Sequence, residues 1–241
     1  MSSSDRHHAF ATTHWSLIAS AGRHSSTESR AALATLCQSY WYPLYAYLRR
    51  KGYQAAEAQD LTQSFFADLL EKERLQLADQ QRGRFRSFLL AALNNFVANQ
   101  WRNAQAIKRG GGRALLTLDV QSGEDRYRLE PAHELTAERM FERRWAMTLL
   151  ERTIDRLREE HVRSDKEELF EQLKGHLGQG GGAPYREVAE RLGMSETAVK
   201  VAAHRMRKRC GEILREEISH TVDGPDAVDE ELQQLFAAVE L

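Results

Sequence analysis

YREVAERLGMSETAVKVAAHRMRKRCGEILREEI, residues 185–218, is the stretch that decides the fold. It predicts two helices joined by a tight corner. The first helix has three apolar residues on one side, Val188, Ala189 and Leu192. Gly193 ends this periodic pattern. Ser195 then occupies the position of an N-cap, where its hydroxyl can accept a hydrogen bond from a free amide of the next turn.

The second helix combines an apolar stripe with a basic side. The stripe repeats at i, i+4, i+7 and i+11 through Val199, Ala203, Met206 and Cys210. The other side carries Lys200, His204, Arg205, Arg207 and Lys208. This pattern is typical of a helix-turn-helix, whose second helix enters the major groove of DNA. Two surface helices with solvated charges are the alternative. The small Ala189, the glycine corner and the one-sided charge favour DNA binding.

Charge is strongly segregated along the chain of 241 residues, although its net charge is only −1. Residues 82–113 contain seven Arg or Lys and no Asp or Glu, whereas residues 216–241 contain eight Asp or Glu and no Arg or Lys. Such charge segregation gives information about binding partners and not about the fold. Cys37 and Cys210 stand alone without metal-ligand spacing, and no apolar run reaches membrane-spanning length. We therefore expect a soluble cytoplasmic protein that needs no metal or cofactor and has no membrane partner.

The patterning predicts an all-α fold of two small helical domains joined by a flexible linker. We expect an N-terminal arm with a short helix over residues 1–27, a first domain over 28–109 and a linker over 110–135. A second domain then spans 136–219, and an acidic amphipathic tail spans 220–241. Only residues 114–120 resemble a strand.

Three helices are expected in the first domain, over residues 29–51, 55–72 and 84–106. The first contains the aromatic cluster Tyr40, Trp41, Tyr42, Tyr45 and Tyr47. Base stacking would suit this cluster, but helical spacing favours a core stripe. The third helix carries amides, an aromatic residue and a cation in its later half, which suits exposed bases and phosphates. A polar face beside a loop is the equally open alternative.

Helices are also expected over 136–160 and 164–177, followed by a flexible glycine-rich loop over 178–184. Gly110, Gly111 and Gly112 follow no strand and precede no Lys-Ser/Thr pair, which argues against a phosphate-binding loop. In the tail, a short amphipathic helix over 226–241 must pack on another surface.

Three stretches in this order resemble the sigma factors of bacterial RNA polymerase. More narrowly they resemble the extracytoplasmic-function (ECF) group, which keeps only the domains called σ2 and σ4. EAQDLTQSFFADLLE (57–71) resembles the acidic σ2 helix that binds the polymerase clamp. FRSFLLAALNNFVANQWR (85–102) resembles the helix that melts and reads the minus-ten element. YREVAERLGMSETAVKVAAHRMRKR (185–209) resembles the σ4 helix-turn-helix that reads the minus-thirty-five element. The resemblance covers residues 28–218.

This resemblance implies roles for individual residues. The polymerase-binding positions are Glu57, Asp60 and Gln63. The minus-ten positions are Asn95, Asn99, Trp101 and Arg102. The minus-thirty-five positions are Lys200, His204, Arg205, Arg207 and Lys208. The chain departs from the family pattern at five positions. Gln59 and Ser64 replace the usual carboxylates, Ala91 and Ala202 replace basic residues, and Ala198 replaces a threonine.

The weakened acidic helix suggests a switch. Thr62 lies between Asp60 and Ser64 in sequence, and phosphorylation there would add about −1.5 to −2 charges. Our hypothesis is activation by a Ser/Thr kinase at Thr62, with Ser64 as the second choice. The alternative is that Thr62 is a half-buried helix residue in the family's usual Val position.

The sequence also allows other means of regulation and another function. The acidic tail could cover the basic helix of the helix-turn-helix or complete the C-terminal core, and a separate anti-sigma protein is also conceivable. An operator-binding regulator that acts without polymerase is the rival function, and it would form a dimer with paired half-sites. An enzyme is not expected, because no HExxH motif and no nucleophile, histidine and acid set stands out.

Overall fold

A computed structural model describes residues 27–71, 84–106, 120–128, 135–178, 181–219, 221–222 and 224–240. Within these ranges every regular element is a helix, which confirms the all-α prediction. The α-helices are α1 Thr27–Arg50, α2 Ala55–Glu71, α3 Phe85–Ala106, α4 Val120–Arg128, α5 Ala137–Arg163, α6 Glu167–Leu173, α7 Tyr185–Leu192, α8 Glu196–Ser219 and α9 Gly224–Val239. The expected arm helix before residue 27 and most of the possible strand at 114–120 lie outside the described residues.

The helix predicted over 164–177 is shorter than expected. Asp165 has a φ of 54°, and the amide of Lys166 bonds to the carbonyl of His161, so the chain turns here before α6 begins. A short 3-10 helix, Lys174–His176, follows α6. A positive φ is incompatible with a right-handed helix, so the helix cannot continue through Asp165. The sequence pattern alone does not reveal this backbone conformation.

The chain divides into two compact units. The N-terminal unit contains residues 1–145 together with 219–241, and the C-terminal unit contains residues 146–218. The division therefore lies inside α5, whereas the sequence pattern placed it in a linker over 110–135. Part of that expected linker, Val120–Arg128, is the helix α4.

The N-terminal unit is built around the aromatic cluster of α1. Tyr40, Tyr42, Tyr45 and Tyr47 are each at most 3% exposed, so the core interpretation is confirmed over base stacking. They pack with aromatic residues of other helices; Tyr40 meets Phe85 at 5.6 Å between ring centres. Such pairs add specific geometry to the apolar burial that stabilises a core.

Helix α4 docks on α1 through a glycine and a carboxylate. A Cβ on Gly123 would lie 2.9 Å from the ring of Trp41, so glycine permits this close contact. Glu124 accepts hydrogen bonds from the Tyr45 hydroxyl at 2.6 Å and from two nitrogens of Arg49 at 3.0 Å. Burial opposes ionisation of Glu124, but these donors hold its pKa below the ordinary value. The end of the expected linker is thus an ordered part of this unit.

Helix α9 belongs to the N-terminal unit as well. Its Glu231 is 1% exposed and forms an ion pair with Arg86, which is 4% exposed and lies over the Trp145 ring at 4.3 Å. Arg84 approaches Glu231 at 2.7 Å. The tail was expected either to cover the basic helix or to complete the C-terminal core. Instead its buried carboxylate pairs with the start of α3.

The C-terminal unit has one apolar core that joins α5 to α8. Its buried members are Leu157, Phe170, Leu173, Val188, Ala189, Val199, Ala203, Met206 and Ile213. Part of the loop predicted to be flexible packs tightly against this unit. A Cβ on Gly182 would lie 2.2 Å from the ring of His176, which stacks on Tyr185 at 4.6 Å. A side chain at position 182 would displace this imidazole from its stack on Tyr185, so glycine suits the position.

Candidate nucleic-acid interface

The corner between α7 and α8 has the local structure that the sequence predicted. Gly193 ends α7 with φ 62° and ψ 28°, a left-handed conformation that glycine adopts without strain. The Ser195 hydroxyl accepts a hydrogen bond from the amide of Ala198 at 3.2 Å and so caps α8. The left-handed glycine thus ends α7, and the serine cap begins α8 two residues later.

Helix α8 separates its apolar and basic residues as predicted. Val199, Ala203 and Met206 are buried in the core, and Cys210 is half-buried. The five residues predicted to meet the minus-thirty-five element are all exposed: Lys200, His204, Arg205, Arg207 and Lys208. Their contact with DNA stays a prediction.

The exposed cations of α8 differ in how far they are already neutralised. Lys200 pairs with Glu196 at 2.6 Å, and Lys208 approaches Glu212 at 3.9 Å. Arg207 donates to the Tyr185 hydroxyl at 3.3 Å. Arg205 has no hydrogen-bonding or ion-pair partner among the described residues. Its guanidinium is therefore the cation on this face most available to a phosphate.

An open groove of about 660 Å³ runs beside α8 within the C-terminal unit. Its apolar lining residues are Leu169, Met194, Ala198, Val201 and Ala202. Cationic side chains line it as well, namely Lys166, Arg205 and Arg209. Arg209 is neutralised by Glu160, to which it donates two hydrogen bonds of 2.8 and 2.9 Å. The sequence pattern did not predict this groove, because it joins the α5–α6 turn to α8.

Three of the four predicted minus-ten residues lie on one exposed side of α3. Asn95, Asn99 and Arg102 are exposed and follow one another at i, i+4 and i+7. Arg102 donates to the carbonyl of Ala98 at 3.3 Å. Trp101 lies in the same helix, but its side chain is outside the described residues. The spacing leaves amide groups and one cation together on a surface that single-stranded bases could reach.

The predicted polymerase-binding residues lie on the outer side of α2. Glu57 and Asp60 are exposed, and Gln63 is partly exposed. Thr62 points the other way: it is fully buried, and its hydroxyl donates to the carbonyl of Ala58 at 2.7 Å. The structure therefore separates Thr62 from the acidic surface that its phosphorylation was expected to strengthen.

The part of the chain that the structure describes contains neither a metal site nor a membrane-spanning helix. No group of three or more His, Cys, Asp or Glu side chains there is placed to hold a metal ion. Equally, none of the helices described has both the length and the apolar character needed to cross a membrane. Among the predicted sites, the basic side of α8 is the one for which the corner, the N-cap and the exposure of every predicted residue are described.

One segment of the chain matches a known family model. Residues 179–210 match the family model Sigma-70, region 4. No curated protein and no solved structure matches the chain. The matched segment contains α7, the corner and most of the exposed basic side of α8. The match covers 32 of the 241 residues and supports a sigma-70-like, DNA-binding helix-turn-helix in this segment.

Proposed function

We propose that this protein is an ECF-type sigma subunit that directs bacterial RNA polymerase to promoters in the cytoplasm. The observation that carries the proposal is the exposed basic side of α8, which lies within the segment that matches region 4. In this role the protein catalyses no reaction. It supplies sequence recognition, and the polymerase supplies the chemistry.

Each proposed contact uses a different exposed surface. Lys200 and His204 of α8 would meet the minus-thirty-five duplex, with Arg205, Arg207 and Lys208 on phosphates. Asn95, Asn99 and Arg102 of α3, with Trp101, would hold the melted minus-ten strand. Glu57, Asp60 and Gln63 of α2 would bind a basic surface of the polymerase. The exposure of Asn95, Asn99 and Arg102 supports the assignment of α3, and that of Glu57 and Asp60 supports the assignment of α2.

Activation by a Ser/Thr kinase is a finer hypothesis about α2. The buried, hydrogen-bonded hydroxyl of Thr62 disfavours phosphoryl transfer to the folded helix, so a kinase would have to act on an opened form. Ser64 is partly exposed and is the more accessible acceptor on α2. A phosphate at either residue would add negative charge to a helix that lacks carboxylates at Gln59 and Ser64.

Gel filtration of the full chain with core RNA polymerase tests the proposed function. We expect co-elution, and we expect the mixture to bind promoter DNA much more tightly than the free chain does. A Glu57→Lys, Asp60→Lys variant should lose co-elution while retaining its helical circular dichroism. Tight DNA binding by the free chain as a dimer, without co-elution, would instead favour the operator-binding regulator.

Salt dependence gives a second readout of the same complex. The slope of log affinity against log salt concentration is negative, and removing one phosphate contact should make it shallower by about 0.9. Arg205→Ala is expected to have this effect because Arg205 is not neutralised by a described residue. Arg158→Ala is the control, since Arg158 already pairs with Glu167 at 3.0 Å and with Glu171 at 3.3 Å.

A further inference from the structure

An apolar side chain lies in the middle of the basic surface of α8. Val201 is 43% exposed, although valine is normally a core residue. Thr197, His204 and Lys208, which stand at i−4, i+3 and i+7 from it, are exposed too. Val201 therefore lies on the outer side of the helix, away from the buried stripe.

A single exposed valine needs no explanation, but the neighbours of Val201 indicate that it belongs to a contact surface. Arg205 follows it by one turn, and both line the groove that also contains Met194 and Lys166. Val162 of α5 has a similar exposure of 45% but does not line the groove. Val201 is thus an apolar contact point between cations that suit phosphates.

The chemistry of the major groove limits what such a side chain can recognise. Valine offers no hydrogen-bond donor or acceptor, so it cannot read the polar edge of a base. Thymine alone presents a methyl group in the major groove, and small apolar side chains contact that group. Cations on either side would bind the backbone and bring the outer side of α8 against the base edges.

We propose that Val201 contacts a thymine methyl group in the minus-thirty-five duplex and selects thymine at that position. The proposal rests on the function proposed above and adds a residue that determines specificity. It differs in kind from the contacts expected of Lys200, His204 and Arg205, which are polar. A valine–methyl contact is worth discrimination of roughly four-fold, as expected for burial of one methyl group.

The test uses the full chain bound to core RNA polymerase. Preferred sequences are first selected from duplex DNA with a randomised upstream element. Each thymine of the selected element, on either strand, is then replaced by deoxyuridine, which removes only the methyl group. At one position we expect affinity to fall roughly four-fold for the unaltered protein. Val201→Ser should bind the thymine and deoxyuridine probes equally, whereas the control Val162→Ser should behave as the unaltered protein does.

Three results would overturn the proposal. The selected element could lack thymine, no deoxyuridine replacement could weaken binding, or Val201→Ser could keep the full preference for thymine. Failure of the proposed function has a different signature, because then no element would be enriched in the presence of polymerase. Circular dichroism of both serine variants checks that α8 remains folded.

Discussion

At Thr62 the direction of a single side chain decides between two interpretations of α2. Asp60 and Thr62 are two residues apart, which places them about 200° apart around a helix. Asp60 is accordingly exposed, and Thr62 lies in the core with Phe65 and Leu69. The sequence pattern placed Thr62 among acidic neighbours, but the helical period moves it to the other side.

Substitution of Thr62 by valine separates a packing role from a phosphorylation role. Valine keeps the shape and loses only the hydroxyl, whose bond to Ala58 lies within the helix. We expect Thr62→Val to retain transcription in cells within about two-fold, and Thr62→Ala to lose about 1–2 kcal/mol of stability through a small cavity. Reporter transcription in cells and urea unfolding measure the two effects. Inactive valine and alanine variants alongside an active serine variant would support the kinase hypothesis.

At the scale of elements, several ion pairs join α5 to α8 in the C-terminal unit, and the pair of Glu160 with Arg209 is one of them. Glu160 accepts two hydrogen bonds from Arg209, and this bonding holds its pKa below the ordinary value. A lowered folded-state pKa means that the pair stabilises the unit above the ordinary pKa of a glutamate. That contribution is lost as the pH falls through the folded-state pKa.

We therefore expect Glu160→Gln to destabilise the C-terminal unit by about 1 kcal/mol at pH 7, since the pair is only partly buried. The variant and the unaltered protein should approach each other in stability below about pH 4, near the ordinary pKa of glutamate. Hydrogen exchange of the α8 amides at both pH values measures this. Glu159→Gln, an exposed neighbour, should change little. A destabilisation of Glu160→Gln that is the same at both pH values would contradict the explanation.

Helix α9 depends on a fully buried ion pair in the N-terminal unit. Glu231→Ala would leave the Arg86 charge uncompensated beneath Trp145, which costs about 3–5 kcal/mol. None of the four tryptophans lies within residues 146–218, so tryptophan fluorescence during urea unfolding does not report on the C-terminal unit. Glu230→Ala is the control, because Glu230 is largely exposed and meets Arg84 only at 3.7 Å. Similar losses in both variants would exclude a special role for the buried pair.

Local patterns predicted most helices well but not where they pack. The caps at Gly193 and Ser195 are local and matched the structure. The docking of α4 and α9 depends on pairs distant in sequence, such as Arg49 with Glu124 and Arg86 with Glu231. A hydrophobic period shows that α9 needs a neighbour, but it does not identify which one.

At the scale of the whole molecule, the two units differ in how the chain builds them. The C-terminal unit is one continuous segment, 146–218, with its own apolar core. The N-terminal unit is interrupted, because α9 returns to it after α8 ends. A continuous segment with its own core can fold alone, whereas a unit that lacks one of its elements exposes buried groups.

This difference predicts unequal behaviour of fragments. Residues 146–218 should retain helical circular dichroism and a cooperative thermal transition. Residues 1–145 alone should lose at least the 3–5 kcal/mol expected for an unpaired Arg86, because the fragment lacks Glu231. Addition of a peptide of residues 219–241 should raise the melting temperature of the 1–145 fragment with peptide concentration, as measured by tryptophan fluorescence. The same peptide carrying Glu231→Ala should have much less effect. A 1–145 fragment that is as stable without the peptide as with it would show that α9 is dispensable for the N-terminal unit.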